Sequence, residues 1–87
     1  MTVTANVFKI NGKVIKARAS VLIDEAIAIN DILVKEKRDA SGLYLEFPYT
    51  TYEKNGERKR RNTCFPVSQE ARNAITEVVL AEYNNLE

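Results

Sequence analysis

The sequence predicts an α+β fold: a mostly antiparallel five-stranded sheet of hairpins followed by one C-terminal amphipathic helix. Three observations carry that reading. Two Asn-Gly pairs, Asn11-Gly12 and Asn55-Gly56, supply the positive backbone angles of tight hairpin turns and are flanked by strand-like segments. The segment KVIKARASVLID alternates apolar and polar residues with the period of a half-buried strand. The last twenty residues, SQEARNAITEVVLAEYNNLE, contain neither Gly nor Pro and open on Ser68, a helix N-cap residue.

Taken in order, residues 3 to 10 form the first strand. Folding back across Asn11-Gly12 sets Phe8 opposite Ile15 and Ile10 opposite Lys13. The second strand places Ile15, Ala17, Ala19, Val21 and Ile23 on one face and Lys16, Arg18 and Ser20 on the other, so the apolar face points inward. Asp24-Glu25 is a tight turn into AIAINDILV, whose apolar phase changes midway: Ile27 and Ile29 share a face, and Ile32 and Val34 share the opposite one. A bulge near Asn30-Asp31 reconciles them. The charged KEKRDASG stretch reads as a loop, and LYLEFPYTTY alternates again, with Pro48 marking an edge or an irregular stretch because it has no N–H for a ladder. The return strand runs from about Arg58 to Phe65.

In the helix, Ala71, Ala74, Ile75, Val78, Val79 and Glu82 gather on one side with Leu86 near them, while Leu80 falls opposite. Glu70 sits in the first turn, where the helix dipole favours an anion.

Composition narrows the function classes. Eighty-seven residues make one domain, 1–87, and the 45% hydrophobic and 29% charged shares are those of an ordinary soluble protein. No apolar run approaches a bilayer span and the N-terminus has no secretory pattern, so a cytoplasmic location is expected. Histidine is absent and Cys64 is the only cysteine, which removes an intramolecular disulfide, a cysteine-cluster metal site and the usual general base. Asp24, Glu25 and Asp31 read as turn and bulge residues, not cation ligands. No Gly-rich phosphate loop or serine nucleophile motif is present. The expectation is therefore no enzyme activity, no cofactor, no metal and no small-molecule substrate.

The one concentrated feature is KNGERKRR, residues 54 to 61, with five cations in eight positions although the formal net charge of the chain is only +1. A hairpin centred on Asn55-Gly56 pairs Lys54 with Glu57, Glu53 with Arg58, Tyr52 with Lys59, Thr51 with Arg60 and Thr50 with Arg61. Opposite charges nearest the turn account for Lys54 and Arg58. Lys59, Arg60 and Arg61 have no such partners. In this register Tyr44, Tyr52, Lys59 and Arg61 share one face, while Thr51, Arg58 and Arg60 share the other. Cys64, on an apolar phase opposite Phe47, reads as a small buried hydrophobe. A basic ribbon bearing an aromatic can follow phosphates and stack a base; the competing reading is a solubilising tip whose cations block edge-to-edge aggregation. The KEKR run at Lys35 to Arg38, diluted by Glu36 and Asp39, reads as a solvated loop.

Residues 27 to 83 carry an ordered set of short motifs: Asn-Asp-Ile-x-Val at 30–34, Gly-Leu-Tyr-Leu-Glu-Phe-Pro at 42–48, a turn glycine at Gly56, Phe-Pro-Val at 65–67 and Val-Leu-Ala-Glu-Tyr at 79–83. This set resembles the stage V sporulation protein G (SpoVG) family, small bacterial proteins tied to septation and gene regulation. The resemblance implies a homodimer of sheet-plus-helix subunits that binds DNA or RNA as a regulator. Many members carry Ser-Lys-Arg after the strand proline, where this chain has Tyr49-Thr50-Thr51, and a family helix lysine corresponds to Ala74; Arg72 matches a family basic residue. The candidate nucleic-acid contacts are Tyr52, Lys54, Arg58, Lys59, Arg60, Arg61 and Arg72, with Leu80 and Tyr83 as candidate dimer contacts. The alternative is a protein-interaction module in division or regulation, using the sheet edge or Leu80 and Tyr83, without nucleic acid.

Overall fold

The computed structural model describes residues 1–86; Glu87, the last residue of the expected helical segment, lies outside the described residues. Strands β1 (Val3–Lys9), β2 (Ile15–Ile23), β3 (Ile27–Glu36) and β4 (Leu43–Glu46) form an antiparallel sheet in the order β1-β2-β3-β4. Strands β5 (Tyr49–Lys54) and β6 (Glu57–Asn62) form a separate two-stranded sheet, and helix α1 spans Gln69–Asn85. The α+β architecture is as expected, but the described residues form six strands in two sheets, not five in one.

The extra strand comes from a break at Phe47-Pro48. Phe47 is buried in the core, and Pro48 has no N–H to continue the β4 ladder, so the chain leaves the sheet there. The Pro48 carbonyl then accepts from the Thr63 N–H at 2.9 Å, which closes the base of the β5–β6 hairpin. That closure ends β6 at Asn62 instead of Phe65, so Cys64 lies beyond the ladder, half-buried against the core, not paired with Phe47.

The β1–β2 register also departs from the two-residue turn. Phe8 pairs with Arg18 and Lys9 with Ala17, and residues 10 to 14 form a wider loop in which Asn11 keeps a positive φ of 61°. The expected register would set Ala5 against Arg18 and Val7 against Lys16. The observed one sets Val3, Ala5 and Val7 against Ile23, Val21 and Ala19, joining the apolar faces of both strands. Burial outranks the local turn preference. Between β2 and β3, Asp24 and Glu25 both adopt positive φ, 52° and 54°, as the expected tight turn requires. Asp24 is tied to the N-terminus by a hydrogen bond from the Thr2 N–H to its Oδ1 at 2.7 Å.

The bulge near Asn30-Asp31 is present. Ala19 pairs with Ile32 and Val21 with Ile29, so Asn30 and Asp31 together face Ser20, and Asp31 takes a φ of 63°. Ile29, Ile32 and Val34 thereby reach one face, and all three are buried. A second irregularity, unforeseen, falls between Ile15 and Ala17 on β2. It pairs Ile15 with Lys35 and so turns Ile15 off the core face.

Helix α1 lies chiefly along β1, with β2 beside it. Its Ser68 N-cap accepts from the Ala71 N–H at 3.1 Å, and Glu70 occupies the first turn. Ile75 and Val79 are the fully buried helix residues. The buried stripe is rotated from the one expected: Leu80 and Tyr83 pack against the core and Glu82 is exposed. Burying Tyr83 and Leu80 removes apolar surface from water, whereas burying Glu82 would strand a charge.

The bulge yields a stability prediction. Asp31→Val places a β-branched residue at positive φ and is expected to lower the unfolding free energy by about 1–3 kcal/mol in urea titrations. Asp31→Gly, free of that penalty, is expected to stay within about 1 kcal/mol of the parent.

Candidate nucleic-acid interface

The β5–β6 hairpin follows the register expected from its turn. Tyr49 pairs with Asn62, Thr50 with Arg61, Thr51 with Arg60, Tyr52 with Lys59, Glu53 with Arg58 and Lys54 with Glu57, and Asn55 and Gly56 have φ of 54° and 79°. Every residue of both strands is exposed. One face therefore carries Thr50, Tyr52, Lys59 and Arg61; the other carries Tyr49, Thr51, Arg58 and Arg60. Tyr44 does not join the Tyr52 face, because the break at Phe47-Pro48 leaves it on β4 in the other sheet.

Charge pairing differs from the expectation. Among the described residues, neither Glu53 with Arg58 nor Lys54 with Glu57 forms an ion pair, although each pair is directly opposite. Lys59 instead lies 4.0 Å from Glu57, two positions away on its own strand. Arg60 is the best-anchored cation of the ribbon: its Nη1 is 3.8 Å from Glu46 Oε2, and its guanidinium lies 4.8 Å from the centre of the Tyr49 ring. Arg61 forms no ion pair among the described residues. Alternating faces turn Arg60 back toward β4 and Arg61 outward, a consequence the cluster of cations in the sequence does not display by itself.

Glu46 is the anchor for this arrangement. Its side chain is only 10% exposed, and Oε2 accepts from Lys35 Nζ at 2.8 Å. At 3.8 Å, Arg60 adds Coulombic attraction without a hydrogen bond. Lys35 belongs to β3, not to the solvated loop expected for residues 35 to 38; Lys16 likewise pairs with Glu36 at 3.2 Å. The hydrogen bond from Lys35 to Glu46 holds the Lys35 ammonium above the ordinary lysine range, outweighing the opposing effect of burial.

Arg72, in the first turn of α1, reaches back over the Phe47 ring at 5.6 Å from its centre. It shares a groove of about 230 Å³ with Arg60, Tyr44, Glu46, Asn62 and Phe65. Of the sequence-predicted contacts, the fold thus brings Arg60 and Arg72 together, while Tyr52, Lys54, Arg58, Lys59 and Arg61 extend outward along the hairpin. Leu80 and Tyr83 lie elsewhere, at the seam of helix and sheet, where Lys9 Nζ approaches the Tyr83 ring at 5.6 Å from its centre. Sequence reasoning missed Glu46, Tyr49, Asn62 and Phe65. Asn62 is structural as well as lining, since its Nδ2 donates to the Phe47 carbonyl at 3.2 Å and to the Pro48 carbonyl at 3.3 Å. Among the described residues, no group of three or more metal-ligating side chains forms, and no helix is long and apolar enough to cross a membrane.

The SpoVG family model matches residues 1–85, nearly the whole chain. The chain belongs to the SpoVG family. Its members are linked to the regulation of septation and sporulation and are not enzymes. No curated protein matches the chain. For this SpoVG chain, the two-stranded ribbon and the groove at its base are the features that the four-stranded sheet and helix leave outside the core.

The Lys35–Glu46 contact gives a pH prediction. Because the folded pKa of Lys35 is raised above its ordinary value of 10.5, its stabilising contribution is fully present below that value and is lost as pH rises through the folded pKa. In urea titrations, the stability gap between the parent and Lys35→Met is expected to be constant from about pH 7 to 10 and to shrink above it. A gap that stays constant into strong alkali would disprove the coupling.

Proposed function

We propose that this SpoVG protein is a homodimeric nucleic-acid-binding regulator whose β5–β6 ribbon contacts DNA or RNA. One observation carries the reading: the ribbon displays Lys54, Arg58, Lys59, Arg60 and Arg61 on strands exposed from end to end. Neither strand of the ribbon places a residue in the core, and among the described residues only Lys59 and Arg60 of its five cations lie in ion pairs, at 4.0 and 3.8 Å. Two-stranded ribbons fit the major groove of a duplex, and cations spaced along them match successive phosphates. Tyr52, 44% exposed beside Lys59 and on the same face as Arg61, offers a ring for a base. Arg72 adds a cation from the helix side.

In the same proposal, a second copy doubles this surface, and a two-fold axis sets the spacing of the two ribbons. Leu80 and Tyr83 are assigned to that subunit contact through the part of their surface not spent on the core. Light scattering at micromolar concentration is expected to give twice the chain mass.

Gel shifts across a salt series test the nucleic-acid reading. Affinity for duplex DNA is expected to fall steeply with salt. The variant Lys59→Ala/Arg60→Ala/Arg61→Ala is expected to bind more weakly, with a log–log slope shallower by roughly 0.9 for each phosphate it no longer neutralises. Equal and negligible binding by both proteins would sink the proposal and leave the ribbon as a solubilising tip.

A further inference from the structure

We infer that the groove between β4, the base of the β5–β6 hairpin and the start of α1 holds one unpaired nucleotide, so that this protein prefers single-stranded segments at that point. The inference rests on the nucleic-acid reading above and adds to it a specific subsite and a strand preference. The groove offers the two chemistries an unpaired nucleotide needs. Arg60 and Arg72 supply guanidinium groups for a phosphate, each lying near an aromatic ring, Tyr49 at 4.8 Å and Phe47 at 5.6 Å from the ring centre. An arginine seated on a ring has less freedom to lose on binding, and its planar fork of N–H donors suits phosphate oxygens. Tyr44 and Phe65 line the same groove and are 39% and 49% exposed, leaving ring surface that the core does not use. Stacking on such rings requires a base released from its duplex.

The carboxylate of Glu46 in the groove wall does not forbid an anion. Lys35 neutralises it at 2.8 Å, leaving Arg60 and Arg72 as excess positive charge. Asn62 is held by its hydrogen bonds to the Phe47 and Pro48 carbonyls, which fixes the wall between the ribbon and β4. The groove, about 230 Å³ and open to solvent, has room for a single base with its phosphate. A duplex is left to the ribbon alone, whereas a single strand uses both ribbon and groove.

Fluorescence anisotropy on the full chain tests this, with a labelled mixed-sequence single strand, as DNA and as RNA, and the corresponding DNA duplex as probes. Phe65→Leu, which keeps apolar bulk but removes the ring, is expected to weaken single-strand binding about fivefold or more while changing duplex binding less than twofold. Phe65→Tyr is expected to retain single-strand affinity. Arg72→Gln is expected to make the single-strand salt slope shallower by about 0.7. Weakened binding with either sugar supports the subsite. If Phe65→Leu binds single strands as the parent does, or loses both probes equally, the subsite is wrong; the ribbon reading survives that result provided the triple ribbon variant still loses duplex affinity. A parent chain that binds neither probe overturns both. Circular-dichroism melts of each variant separate weakened binding from unfolding.

Discussion

The junction at Phe47-Pro48 governs the whole arrangement. One residue is held in the core by its ring, and the next cannot donate a backbone hydrogen bond, so β4 ends after four residues and the chain departs from the sheet. Beyond the junction the chain forms a ribbon that is a two-stranded sheet of its own. The junction also explains why the ribbon is not loose at its root. Pro48 retains a carbonyl, which accepts from the Thr63 N–H, and the Asn62 amide bridges the Phe47 and Pro48 carbonyls. The same proline that terminates one sheet thus organises the start of the next.

Within the main sheet, registers follow burial more than turn chemistry. Asn55-Gly56 sets the ribbon register unaided, since both faces of the ribbon are solvated and nothing opposes the turn's preference. Asn11-Gly12 has the same dipeptide but joins strands that bury a face. Holding a two-residue turn there would have set Val7 against a lysine. The chain accepts a longer loop to align Val3, Ala5 and Val7 with β2, at a conformational cost smaller than that of burying cations. The bulge at Asp31 follows the same logic: it was legible because the phase of Ile27 and Ile29 disagrees with that of Ile32 and Val34, and only an extra residue restores one apolar face. The irregularity at Lys16 left no such trace, because Ile15 is apolar on either face.

The helix was legible in its start and extent but not in its rotation. Ser68 and the absence of Gly or Pro announce it, while the stripe reading favoured a face including Glu82. At 100° per residue, Ile75 and Val79 belong to either stripe; the side chains flanking them decide which way the helix turns. Tyr83 and Leu80 bring more apolar area than Ala74 and Val78, and the sheet below selects them. For the site, the ribbon's cations were visible as a cluster, yet their division between two faces depended on register, and their partners depended on tertiary contacts. Glu46 and Lys35 lie eleven positions apart and meet only because β3 and β4 pair. No local pattern announces such a pair.

The two oxygens of Glu46 sit in unequal surroundings. Oε2 takes the Lys35 hydrogen bond and faces Arg60, whereas Oε1 is buried without a hydrogen-bond partner among the described residues. A buried acceptor left without a partner costs about 1–3 kcal/mol. The Lys35 bond offsets part of that cost and keeps the negative charge fixed at the root of the ribbon. Arg60, 62% exposed at its side chain, is therefore drawn toward the groove by a charge it does not have to neutralise. That division of labour explains how one cation of the cluster is oriented inward while its neighbours on the ribbon keep their charges in solvent.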